Sequence, residues 1–153
     1  MTQSVPASPV QPPEAPHSFD IKSKAGHFGA HIAWPEKHVS VHALGGGRKK
    51  ELWAIDGWSS VAFISDQGPV LALGHPANNL LPLESADTTE IVAFYRDGKK
   101  VFALTLADIS KSAPPHRQPQ GIAWGVHYGF DTEGRYRYED AAGVVRSVEI
   151  QLK

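Results

Sequence analysis

His31, His38 and His42 are the residues whose type and spacing come nearest to a chemical site. Residues 27–44 read HFGAHIAWPEKHVSVHAL, and a loop at Pro35-Glu36 folds them into a hairpin. The period-2 alternation of strand side chains then pairs Ile32 with Val39, Ala30 with Val41 and Phe28 with Ala43 on an apolar face. The opposite face carries His27, His31, His38, Ser40 and His42. His31 falls opposite Ser40 and diagonal to His38 and His42, within reach across paired strands. Neutral imidazoles are common metal ligands, and three of them with an open position suit Zn²⁺ or Cu²⁺. No carboxylate is placed among them by the sequence. A solvated polar face on an edge hairpin accounts for the same pattern.

Signals for covalent or acid–base catalysis are weaker. The Ser-Ser pair at Gly57-Trp58-Ser59-Ser60 lacks the Gly-x-Ser-x-Gly of a nucleophile elbow. His75 and Asp66 fall in the same stretch, but no spacing unites them, and Ser59 and Ser60 read as a strand entry. Asp56, Glu84, Asp87 and Glu90 sit in loops or at strand ends and read as solvated. Paired carboxylate chemistry would need two of them about 5–9 Å apart. The chain has no Cys, which excludes disulfides, thiolate metal sites and cysteine nucleophiles. Tyr136 and Tyr138 alternate with Arg135 and Arg137 along one strand. Either the tyrosines pack and the arginines are solvated, or one row is exposed as a protein- or sugar-binding surface.

The elements that must position these groups centre on residues 52–106. Arg96-Asp97-Gly98-Lys99 is a two-residue Asp-Gly hairpin loop of the kind that needs φ > 0 at both central positions. It sets Arg96 opposite Lys99, Phe94 opposite Val101, Val92 opposite Ala103 and Glu90 opposite Thr105. Ile91, Ala93, Tyr95, Phe102 and Leu104 take the other face, so both faces are apolar and the hairpin is expected to be buried on two sides. Ser65-Asp66-Gln67-Gly68 is a second turn, with Gly at the left-handed position. Gly45-Gly46-Gly47-Arg48-Lys49-Lys50 reads as a basic turn, followed by a strand from Glu51 to Ile55. Two long connections remain, 75–89 and 111–120, the second Pro-rich. Connections of that length pack through their own side chains or carry function. Their candidate partner-binding residues are His75, Asn78, Asn79, Leu80, Leu81, His116 and Arg117. Ala107-Asp108-Ile109-Ser110 reads as one helical turn.

A length of 153 residues is enough for one domain with a substantial core. Hydrophobic residues make up 41% and charged residues 20%, as in a soluble globular protein. A formal charge of −1 gives no electrostatic case for nucleic acid or an anionic membrane. No apolar run approaches the roughly 18 residues of a membrane span. Residues 1–18 are rich in proline and poor in large apolar side chains, and read as a disordered leader. Residues 19–153 form a single all-β domain.

A pattern recurs in that domain: Trp58 precedes Ser65-Asp66-Gln67-Gly68 by seven positions, and Trp124 precedes Asp131-Thr132-Glu133-Gly134 by seven. After each turn come a strand, a Gly-containing turn (Asp97-Gly98; Asp140-Ala141-Ala142-Gly143) and a final strand. The expectation is an antiparallel meander of about 8–10 strands in two or three blade-like modules, similar to β-propeller blades. Three modules are too few to close a ring, so an open twisted sheet or a sandwich should result.

The pattern W-x-x-V-x-F-x-S-D-x-G, then G-H-P-x-x-N-L-L-P-L, a strand ending D-G-K-K, T-L-x-D-I, and A-W-G-x-x-x-G-F-D-x-x-G-R-Y resembles a group of bacterial, mostly exported all-β proteins. The resemblance covers residues 52–139 and rests on turns and aromatic anchors. It carries no established activity. It implies a periplasmic or envelope setting with 1–18 following a removed signal; a native start at Met1 would instead fit the cytoplasm. The functional expectation is a non-enzymatic binding protein of the bacterial envelope. It would recognise a protein partner through loops on a β scaffold, in concrete form as an inhibitor or immunity protein of a secreted enzyme. The alternative is a small-ligand or metal-binding module on the His-rich face. The oligomeric state is not legible.

Overall fold

The computed structural model describes residues 15–150, so residues 1–14 of the expected leader lie outside the described part. Among the described residues the chain forms fourteen strands and one short helix. The architecture is all-β, with four antiparallel sheets of three or four strands and no closed barrel among the described residues.

The first sheet orders β1 (Phe19–Lys22), β2 (Phe28–Ala33), β3 (His38–Gly45) and β4 (Arg48–Asp56) as a meander. β2 and β3 pair in the expected register, with Ile32 on Val39, Ala30 on Val41 and Phe28 on Ala43. Their alternation puts Ala30, Ile32, Val39 and Val41 into the core. β4 begins earlier than its apolar pattern suggests. Gly46 and Gly47 take φ of +57° and +72°, a two-residue turn that pairs Gly45 with Arg48. The basic run Arg48-Lys49-Lys50 is therefore strand and not loop.

The second sheet orders β5 (Ala62–Ile64), β6 (Leu71–Gly74), β8 (Glu90–Arg96) and β9 (Lys99–Thr105). It is the central layer, and both of its faces are covered. Ala62, Ile64, Leu71 and Leu73 pack with the first sheet, while Ala72, Val92, Phe94 and Leu104 pack in a second core. The Asp97-Gly98 turn forms as expected and pairs Arg96 with Lys99. Beyond it the register departs from simple alternation. Phe94 pairs with Phe102 and Val92 with Leu104, not with Val101 and Ala103. An irregularity at Val101 shifts the pairing by one residue, and another at Ile91 restores Glu90 opposite Thr105. The shift brings Phe102 against Phe94 as a stacked pair at 5.8 Å. Leu104 enters the same core as Phe94.

The third sheet is the meander β12 (Gly125–Phe130), β13 (Tyr136–Asp140) and β14 (Val145–Val148). It closes the second core with Phe130, Tyr136 and Tyr138. Between the second and third sheets, α1 (Leu106–Ser112) adds Leu106 and Ile109. Its N-terminus carries a capping box: Thr105 Oγ1 accepts from the Asp108 N–H, and the Asp108 carboxylate accepts from the Thr105 N–H. The fourth sheet is small, ordered β10 (His116–Gln118), β11 (Gly121–Ala123) and β7 (Leu80–Leu81). β1, β7 and β10 add to the set expected from sequence.

The chain changes sheets beside two tryptophans. Gly57, at φ +144°, separates β4 from Trp58, and Gly125, at φ +151°, separates Trp124 from the body of β12. A Cβ on Gly125 would lie 2.0 Å from the Glu139 carbonyl oxygen, so no side chain fits there. Residues 17 and 18 are not free leader. The His17 carbonyl accepts from the Trp58 indole N–H at 2.8 Å, and Ser18 Oγ accepts from the Trp34 N–H at 2.8 Å.

Candidate functional site

The two long connections meet. β7 lies within 75–89, β10 within 111–120, and β11 bridges them, pairing Ile122 with Leu81 and Arg117 with Ile122. Two loops separated in sequence thus become one ordered sheet. Their candidate residues divide by burial. Leu81 and Asn79 are buried, at 0% and 3% exposure, so they belong to the interior and not to a contact surface. Asn78 is held at φ +59° and its carbonyl accepts from the Trp124 indole N–H at 3.1 Å. Leu80 is half-buried. His116 is exposed, with its ring Nε2 donating to the Ala141 carbonyl at 2.8 Å, and Arg117 is exposed beside it. Leu83, two residues past β7, is an apolar side chain at 44% exposure that sequence does not single out.

The histidine face forms, but its members face different partners. His31 Nδ1 donates to Asp20 Oδ1 at 2.8 Å, across the β1–β2 pairing. His38 Nδ1 lies 3.5 Å from Asp56 Oδ1 on β4. His42 is buried opposite Gly29, and burial, with Lys49 adding, pushes its pKa below the ordinary 6.5. Among the described residues no group of three or more His, Asp or Glu is arranged to hold a metal ion. The carboxylates absent from the sequence reading are supplied by β1 and β4, strands whose register could not be read from the hairpin alone. Asp20, His31 and Ser40 do lie in one row across three strands. No hydrogen bond joins Ser40 to His31 among the described residues, and the row lies on an open sheet face.

The hydrolytic set is dispersed. Asp66 lies in the turn before β6 and His75 follows its far end. The Asp66 carboxylate is structural, accepting from the Ala25 N–H at 2.8 Å. Ser59 is buried and its Oγ accepts from the Val61 N–H. Tyr136 and Tyr138 are core residues, at 0% and 4% exposure, so the tyrosine row is packed and Arg137 is the solvated side of that strand.

A cleft of about 380 Å³ with converging polar groups lies where the first sheet hands over to the second. Asp56 and Trp58 come from the end of β4 and the connection after it; His75 follows β6; Thr89 immediately precedes β8, and Glu90 and Tyr95 belong to it. Leu73 and Ala93, paired across β6 and β8, give it an apolar lining. Burial pushes the His75 pKa below 6.5, so the ring is neutral at pH 7. Its Nδ1 accepts from the Ala77 N–H at 3.0 Å, which leaves the proton on Nε2. Both Glu90 oxygens accept from Lys100 Nζ, at 3.0 and 2.9 Å. The Trp58 ring meets Trp34 edge-on at 5.4 Å. This cleft escaped the sequence reading because its residues come from three elements whose adjacency depends on sheet packing.

No family model matches the chain, and neither a curated protein nor a solved structure matches it.

Proposed function

We propose that this is a non-enzymatic binding protein that recognises a protein partner through the surface built by loops 75–89 and 111–120. The observation that carries this reading is the joining of the two loops through β11 into one sheet. Loops tied by strand pairing lose little conformational freedom on binding, which favours affinity. Two exposed side chains flank this sheet, the apolar Leu83 two residues past β7 and the cation Arg117 on β10, a composition suited to protein recognition. β10 is an edge strand, and its outer side can accept a partner's strand. The dispersal of His75, Asp66 and Ser59 adds no support for a hydrolase. The resemblance over residues 52–139 suggests the bacterial envelope as the setting, and an inhibitor or immunity protein of a secreted enzyme is the concrete form of the proposal.

The test uses the purified chain as bait in envelope and secreted fractions, beside the doubly substituted Leu83→Asp/Arg117→Glu chain. The expected result is one stoichiometric protein held by the unsubstituted chain and lost from the variant. Equal retention by the variant, or recovery of nothing by either, contradicts the proposal.

A further inference from the structure

We propose that the cleft between the first and second sheets, which is lined by none of the residues of β7, β10 or β11, binds a neutral saccharide of one or two rings. Its volume of about 380 Å³ falls at the small end of ligand clefts, roughly 300–1,000 Å³.

The chemistry of the lining selects the ligand class. Leu73 and Ala93 are apolar, and Trp58 and Tyr95 supply aromatic surface. The Trp58 indole N–H is already spent on the His17 carbonyl at 2.8 Å, and its ring is braced against Trp34. What remains for a ligand is the apolar surface of a fixed ring, which suits the C–H face of a pyranose. Around this platform stand groups of both hydrogen-bonding senses. Asp56 and Glu90 accept, His75 Nε2–H donates, and the Thr89 and Tyr95 hydroxyls do either. A sugar hydroxyl also donates and accepts at once, so one ligand group satisfies every member of the set.

Charge excludes the main alternatives. An anion would meet the carboxylate of Asp56, while the nearby cation, Lys100, is already held by both oxygens of Glu90. A cation would have to displace Lys100, which holds both oxygens of Glu90, and would then find Asp56 alone. A wholly apolar ligand would leave His75 Nε2–H without a partner, at a cost in affinity.

The test is titration of the ¹⁵N-labelled chain with maltose, cellobiose and N,N′-diacetylchitobiose, with arginine methyl ester and glucarate as charged probes. The Trp58 indole N–H resonance reports directly on the cleft, and the Trp53 and Trp124 resonances serve as controls for the fold. At least one disaccharide is expected to shift the Trp58 signal saturably while those of Trp53 and Trp124 stay in place. Trp58→Ala, followed through the backbone N–H resonances of His75 and Tyr95, is expected to weaken that binding at least tenfold. Because Trp58 also braces the first sheet, Asp56→Ala provides a second variant: this side chain is 99% exposed, and its loss is expected to weaken binding at least threefold with an unchanged spectrum elsewhere. Saturable shifts with arginine ester or glucarate and none with the sugars would overturn the proposal. So would sugar binding that both variants leave intact, or no shift with any probe.

Discussion

His127 is the residue whose chemistry most constrains the protein's behaviour. Its Nδ1 is hydrogen-bonded to the Tyr136 hydroxyl, its Nε2 is buried without a hydrogen-bond partner among the described residues, and Trp124 packs edge-on at 4.6 Å. Burial pushes its pKa from the ordinary 6.5 down to about 3. The folded protein therefore holds this ring neutral where the unfolded chain takes up a proton. Stability is full above about pH 6.5 and falls as pH drops towards 3, because the unfolded state binds more protons there. Up to about 2–3 kcal/mol is expected to be lost between pH 7 and pH 4.5 from this residue. His42 and His75 act in the same direction. Urea denaturation at the two pH values measures the loss, and His127→Gln, which keeps a polar partner for Tyr136 without a titrating ring, should flatten it. An unchanged pH dependence in that variant would contradict the assignment. Gly125 gives a second expectation at this scale. With φ of +151° and a Cβ position 2.0 Å from the Glu139 carbonyl oxygen, Gly125→Ala is expected to cost at least about 2 kcal/mol in the same denaturation measurement.

At the level of elements, the turns explain both what could be read from sequence and what could not. Asp131-Thr132-Glu133-Gly134 and Asp140-Ala141-Ala142-Gly143 are built alike. In each, the Asp carboxylate accepts two backbone N–H groups, from Glu133 and Arg135 or from Ala142 and Val144. In each, Gly takes a left-handed φ, +81° or +82°, and its N–H closes on the Asp carbonyl. Burial alone would raise the Asp140 pKa, but the Val144 and Ala142 N–H groups and Arg146 outweigh it and hold the carboxyl below its usual range. Asp140→Ala is expected to cost about 2–4 kcal/mol, because it strands two backbone donors and the Arg146 guanidinium, whose Nε lies 2.9 Å away. Chemical denaturation checks it, and Asp140→Asn, which retains acceptor oxygen, should recover part of the loss. Such turns are local, so Asp and Gly spacing announces them, and the β2–β3 register followed from the loop and the alternation of Val39 and Val41. The β8–β9 pairing departs from simple alternation because the irregularities at Val101 and Ile91 answer to core packing around Phe94 and Phe102, which no local pattern encodes. β7 has two residues and β10 is exposed along its length, so neither leaves a periodic trace.

For the whole molecule, three meanders stack so that the second sheet is buried on both faces. Among the surfaces left exposed are the outer face of the first sheet, the cleft beside Trp58, and the small β7–β11–β10 sheet. The candidate site was legible in part: the loops 75–89 and 111–120 stood out by length and composition. Their joining was not, because it depends on two residue pairs, Ile122 with Leu81 and Ala123 with Leu80. The dependence of function on that joining is the central claim, and site-specific photo-cross-linking tests it most directly. A photoreactive side chain is placed in turn at Arg117, at Leu83 and at Lys99, an exposed control in the turn region of the β8–β9 hairpin. Each chain is then irradiated in an envelope extract. The expected result is one and the same protein cross-linked from positions 117 and 83 and not from 99. Cross-linking to that protein from 99 as strongly as from 117 and 83, or none from 117 and 83, would contradict the account.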